Sequence, residues 1–119
     1  SAKKQGKICL VTDAMPPVGT DDDSFQLYGE KINVRDGTCI TDGGTLAGSA
    51  LDMATAVRNC HQDLGISLEE SLKMASLYPA AALGMDHKIG QLKTGFQADI
   101  IHLNDELYVT KTSVNGNWT

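Results

Sequence analysis

Apolar and polar positions along the chain alternate in ways that predict both strands and helices. Ile8-Cys9-Leu10-Val11 is an unbroken apolar run, the pattern of a strand buried on both faces in a parallel sheet covered by helices. It ends at Thr12-Asp13-Ala14-Met15. Pro16 and Pro17 lack backbone donors, so any ladder must stop there. After a polar loop, Phe25–Tyr28, Lys31–Arg35 and Thr38–Thr41 read as strands, with Asp36-Gly37 as a tight hairpin turn and Asp42-Gly43-Gly44 closing the last arm. Two helices follow. Ser49 and Asp52 form an S-x-x-D start signal, with Met53, Val57, Cys60 and Leu64 on one face and Gly65 as the stop. Ser67 and Glu70 repeat that signal ahead of a Leu68, Leu72, Ala75 stripe, which Pro79 breaks before a short turn, Ala80 to Leu83, closed by Gly84. The remainder reads as β: Gly90–Gly95, Ala98–Leu103 and Tyr108–Val114, ending at an Asn115-Gly116 turn.

Composition narrows the class. The chain has 119 residues, 41% hydrophobic, with a net charge of −5. That suits a globular domain without low-complexity segments. No basic stripe exists to neutralise phosphates, which argues against nucleic-acid or anionic-membrane partners, and no apolar run is long enough to span a bilayer. Cys9, Cys39 and Cys60 are odd in number, widely spaced and set among apolar neighbours, so buried free thiols in a reducing cytoplasm are expected. Ala2 to Lys7 resembles a helix end with a Gly stop feeding directly into a core strand. A chain opening this way is expected to be an excised piece of something longer.

Candidate chemistry centres on Asp13. A carboxylate at the carboxyl end of a core strand stands where α/β folds place catalytic groups, although aspartate after a strand serves equally well as a turn or cap residue. Three consecutive acids, Asp21 to Asp23, lack the spaced calcium-loop pattern and read as a solvated loop. No phosphate-binding loop, dinucleotide fingerprint, nucleophile elbow or H-E-x-x-H zinc motif is present. His61, His87 and His102 are too scattered to read as a metal site, and structural or surface roles are expected for them.

The tail carries a resemblance. Gly90-x-Leu92-x-x-Gly95-x-x-Ala98-Asp99-Ile100, followed by Val114-Asn115-Gly116, is similar to the closing signature of the amidohydrolase superfamily. Within it, Leu10–Ala14, the Asp36-Gly37 hairpin, Gly44–Ser49 and Met74–Ala80 resemble the N-acetylglucosamine-6-phosphate deacetylase family over nearly the whole chain. Ala47 stands where some members carry serine.

That resemblance implies an α/β fold: residues 1–89 as the last strand, hairpin insertion and closing helices of a metal-dependent (β/α)8 TIM barrel, and 90–119 as strands of a small β-sandwich. It implies hydrolysis of N-acetylglucosamine 6-phosphate to glucosamine 6-phosphate and acetate. Asp13 takes a proton from water and returns one to the departing amine, and Leu46, Ala47 and Gly48 border the sugar. A divalent metal ion, zinc or similar, is implied as cofactor, with ligands upstream of this chain and none in it. The implied partners are the sugar phosphate, the remainder of the same enzyme and a second copy in a homodimer. The chain alone is then expected to be inactive, because the metal and phosphate ligands lie upstream, and to need its complement or self-association, because Ile8 to Val11 would have an open edge. Two alternatives stay open: another amidohydrolase, such as a cyclic-amide hydrolase or a deaminase, and a non-catalytic β-rich binding module.

Overall fold

The computed structural model describes residue 6 and residues 8–119. The expected helix end at Ala2 to Lys7 therefore lies, apart from Gly6, outside the described residues. Contacts divide the chain into two units: Val11–Ala56, and Val57–Thr119 together with the segment ending at Leu10.

The first unit is an antiparallel sheet in the order β1-β2-β3-β4. Its strands are β1 (Ser24–Leu27), β2 (Glu30–Arg35), β3 (Thr38–Thr41) and β4 (Leu46–Ser49). Two-residue turns set the register. Asp36-Gly37, at φ 50° and 74°, joins Arg35 to its partner Thr38, as the dipeptide predicts for a turn whose twist matches the strands. Tyr28-Gly29, at φ 50° and 84°, does the same between Leu27 and Glu30. Ile32 and Cys39 are the buried apolar centre of this sheet. Burying a side chain such as Ile32 is worth about 1.5–3 kcal/mol.

The second unit carries most of α1 (Met53–Gln62), then α2 (Leu68–Ala75), α3 (Leu77–Ala82) and an antiparallel sheet of β5 (Ile100–Leu103), β6 (Val109–Val114) and β7 (Asn117–Trp118). Ser67 caps α2 as its sequence signal predicts, its Oγ accepting from the Glu70 amide at 3.2 Å. The buried line of α2 is Ser71 and Met74, while Leu68, Leu72 and Ala75 are half-buried. Ser71 can be fully buried because its hydroxyl donates to the Ser67 carbonyl at 3.0 Å. The helical break falls at Ser76, three residues before Pro79. Pro79 sits in the first turn of α3, where a missing amide is tolerated.

Several expectations are corrected. Ile8–Val11 is not a strand buried on both faces: among the described residues it makes no ladder, Val11 is 81% exposed, and the Leu10 amide alone is tied down, to the Met74 carbonyl. A strand exists through ladder bonds to at least one neighbour, and the described residues supply none along this stretch. Cys9 is exposed for the same reason, whereas Cys39 and Cys60 are buried; all three thiols are free. Gly90–Gly95 is a series of turns, and Leu64 lies beyond the end of α1 and is exposed. Ser49 does not open α1. It is the last residue of β4, a strand the sequence reading did not contain, and Asp52 is the residue whose carboxylate accepts from the Thr55 amide at 2.9 Å. Among the described residues, no helix is long and apolar enough to cross a membrane.

Candidate active site

Asp13 occupies a left-handed backbone conformation, φ 52°, one residue before an isolated parallel bridge between Ala14 and Ser49. A left-handed turn costs most residues about 1–2 kcal/mol, and aspartate is one of the few that visit it. Backbone bonds on either side hold it there. The Ser49 amide donates to the Asp13 carbonyl at 2.9 Å, and the Met15 amide donates to the Ser49 carbonyl at 2.8 Å. Beyond Met15 the two prolines turn the chain, with the Val18 amide reaching back to the Met15 carbonyl at 3.1 Å, so pairing ends where the sequence says it must. The Asp13 side chain is exposed, and among the described residues none bonds its carboxylate. The group is thus anchored by its backbone and open at its functional end.

β4 supplies the other half. Its pairing with β3 slips between Cys39 and Ile40, so that Cys39 faces Gly48 while Ile40 faces Leu46; Ala47 is the extra residue of a bulge. Bulges re-aim side chains and recur beside active sites. Gly48, at φ 134°, is buried, and a Cβ there would lie 2.6 Å from Met15 Cγ and 3.1 Å from the Asp13 carbonyl oxygen. Only glycine fits. The fold therefore brings Asp13 against Gly48 and Ser49, next to the bulge that contains Leu46 and Ala47, with Leu46 68% exposed. Across the ladder from Gly48, burial pushes the Cys39 thiol up, which keeps it protonated and unreactive at neutral pH.

The remaining candidates have structural explanations. His61 Nδ1 meets the Ile66 carbonyl at 2.8 Å, His102 Nδ1 meets Thr110 Oγ1 at 2.5 Å, and His87 is an exposed turn residue. Asp22 accepts from Thr20 Oγ1 and the Asp23 carbonyl accepts from the Val34 amide, so part of the acidic run is turn structure. Among the described residues no three His, Cys, Asp or Glu side chains converge. The residues described here do not by themselves fit a divalent metal.

The tail signature is scaffolding. Gly90, at φ 87°, packs so closely on the α2–α3 break that a Cβ would come within 3.1 Å of Leu77 Cα and of the Ser76 carbonyl. The Ala98 carbonyl accepts from the Gly116 amide and from Ser113 Oγ, both at 2.9 Å, and Asp99 Oδ1 accepts from the Asn115 amide at 2.8 Å. Signature residues far apart in sequence are stitched into one sheet end. Sequence reasoning also misassigned Ser49: its S-x-x-D spacing masks a position in β4, a strand made by pairing with β3 rather than by any local signal.

Within the first unit an exposed carboxylate is held on a backbone turn, and within the second the closing signature is assembled into a sheet end; both agree with the family comparison. The chain belongs to the amidohydrolase family, whose model matches residues 6–119. It is similar to the N-acetylgalactosamine-6-phosphate deacetylase of a Shewanella species, with 39% identity over 116 residues covering 97% of this chain and 29% of that protein. It is similar also to the human N-acetylglucosamine-6-phosphate deacetylase, at 38% over 116 residues, 97% of this chain and 28% of that one. The crystal structure of N-acetylglucosamine-6-phosphate deacetylase from Pasteurella multocida matches with a TM-score of 0.91 at 43% identity, covering 98% of this chain and 31% of that chain. The chain spans less than a third of the length of these three relatives.

Proposed function

We propose that the protein carrying this chain hydrolyses the acetamide of N-acetylglucosamine 6-phosphate, releasing glucosamine 6-phosphate and acetate, and that Asp13 is its proton-transferring group. The observation that carries the reading is the agreement of family, named relatives and a 0.91 TM-score match over 98% of the chain. The Asp13 anchorage gives it a chemical basis.

Amide hydrolysis needs a proton removed from the attacking water and a proton delivered to the leaving nitrogen, because an amide anion is too basic to leave. One carboxylate serves both steps in turn: it accepts the water's proton as the C–O bond forms, then gives it to nitrogen as the C–N bond breaks. Asp13 suits the task because its backbone is tied down while its carboxylate stays open. Leu46, Ala47 and Gly48 border the sugar in this reading, the bulge and the bare Gly48 backbone allowing close approach. Metal ligands and phosphate-binding groups then come from polypeptide outside these residues, within the (β/α)8 barrel that Ile8–Asp13 would complete as its last strand. Residues 90–119 belong to the accompanying β-sandwich. The reading includes a cytoplasmic homodimer.

The 4-epimer is the competing substrate, since a Shewanella relative named for N-acetylgalactosamine 6-phosphate is 39% identical. The test is acetate release from both sugar phosphates by the full-length protein and by its Asp13→Asn variant. N-acetylglucosamine 6-phosphate is expected to be the preferred substrate, and Asp13→Asn to lower kcat by about 10²–10⁴-fold with KM little changed. Turnover of neither sugar phosphate, or an Asp13→Asn variant as active as the parent, contradicts the proposal.

A further inference from the structure

We propose that Ser49 is a positioning residue for Asp13, its hydroxyl setting the direction in which that carboxylate points; the inference rests on the proton-transfer reading above. Ser49 grips the segment on both sides of Asp13. Its Oγ donates to the Thr12 carbonyl at 2.5 Å, its amide donates to the Asp13 carbonyl at 2.9 Å, and its carbonyl accepts from the Met15 amide at 2.8 Å. The same Oγ accepts from the Leu51 amide at 3.1 Å, which orients the hydroxyl proton toward Thr12. Two of these bonds to the Asp13 segment are made by backbone and any residue could make them. The hydroxyl bond alone is specific to the side chain.

That bond matters because of where it lands. The Thr12 carbonyl belongs to the peptide that leads into Asp13, so its tilt helps set the Asp13 φ of 52° and with it the Cα–Cβ direction. A residue held in a left-handed turn keeps that conformation only while its surroundings over-determine it. Gly48 closes the other side, leaving no room for the segment to settle differently against β4. Loss of the hydroxyl leaves two anchors on a turn that had three. The carboxylate then swings by a fraction of its own length, enough to spoil a proton transfer that depends on hydrogen-bond distance.

The experiment uses the full-length protein with N-acetylglucosamine 6-phosphate, comparing Ser49→Ala, Ser49→Thr and Asp13→Asn for kcat, KM, melting temperature and bound metal. Ser49→Ala is expected to lower kcat by about 10–10²-fold with KM within about twofold and metal content unchanged. Ser49→Thr, which keeps the hydroxyl, is expected to recover most of that loss. Should Ser49→Ala not fold, Ser49→Cys, near in size but a weak donor, is expected to show the same loss in kcat. The inference is overturned if a folded hydroxyl-free variant retains parental kcat. It is equally overturned if kcat falls only in proportion to folded protein and Ser49→Thr recovers nothing. Asp13→Asn separates the two levels: if it stays active, the reading of Asp13 fails; if it is inactive while Ser49→Ala is normal, only the role of Ser49 falls.

Discussion

Among the described residues, five other than glycine adopt positive φ: Asp13, Tyr28, Asp36, Leu107 and Asn115. Asp36 and Asn115 open X-Gly hairpin turns, where short polar side chains tolerate the left-handed region. Leu107 has no such excuse. It is buried, its amide is bound to the Asn104 carbonyl, and its carbonyl accepts from Arg58 Nη1 at 3.0 Å, while the same guanidinium covers the Tyr108 ring at 4.2 Å. Asp13 differs from all of these in leaving its side chain exposed while its flanking peptides are bound to β4. Gly48 is what lets that strand approach, so Gly48→Ala should be severe. Its methyl group would meet Met15 and the Asp13 carbonyl in a backbone region that L residues avoid. We expect a loss of about 1–3 kcal/mol in chemical denaturation, the range for overpacking, together with a fall in turnover that Met15→Ala partly relieves.

At the scale of elements, local chemistry specifies the hairpins and caps, and long-range pairing specifies the rest. Asp36-Gly37, Asn115-Gly116 and the Ser67 cap were legible because each depends on residues within four positions of one another. β4 was not. Leu-Ala-Gly-Ser has little intrinsic preference for extended structure, and it becomes a strand only through β3 on one side and the Ala14 bridge on the other. The Tyr28-Gly29 turn was equally hidden, since tyrosine is a poor first residue for such a turn and is here 98% exposed. Tyr28→Asn is therefore expected to raise stability by about 0.5–2 kcal/mol, read as a higher denaturation midpoint with an unchanged slope. An unchanged or lower midpoint would mean that the ring has an energetic role in the folded protein.

Across the whole molecule, apolar surface is poorly covered. Val11, Leu46, Leu64, Leu83, Leu92 and Val114 are each more than 60% exposed. In the second unit a concavity of about 550 Å³ between α2, α3 and the start of β5 is lined by Leu72, Ala75, Pro79, Leu83, Leu92 and Ile101. Surfaces of that kind associate in water. The 119-residue chain by itself is expected to sediment as associated species, to bind a hydrophobic dye, and to show no deacetylase activity with added zinc. A monodisperse monomer that binds no dye and turns substrate over as fast as the full-length protein would refute all three expectations at once.

Family membership was legible from glycines and aspartates whose spacing suits tight turns, because a turn is a local event and its residues lie side by side in the chain. Asp13 was legible as a candidate for the same reason: an apolar run, one carboxylate and two prolines are adjacent. What holds its backbone was not, since Ser49 lies more than thirty residues away and grips the Thr12 and Asp13 carbonyls through bonds that leave no periodic trace. The apolar run before Asp13 points the same way. Its composition states what burial it is suited to, but ladder partners come from elsewhere in space, and hydrogen bonding to them, not composition, makes a strand.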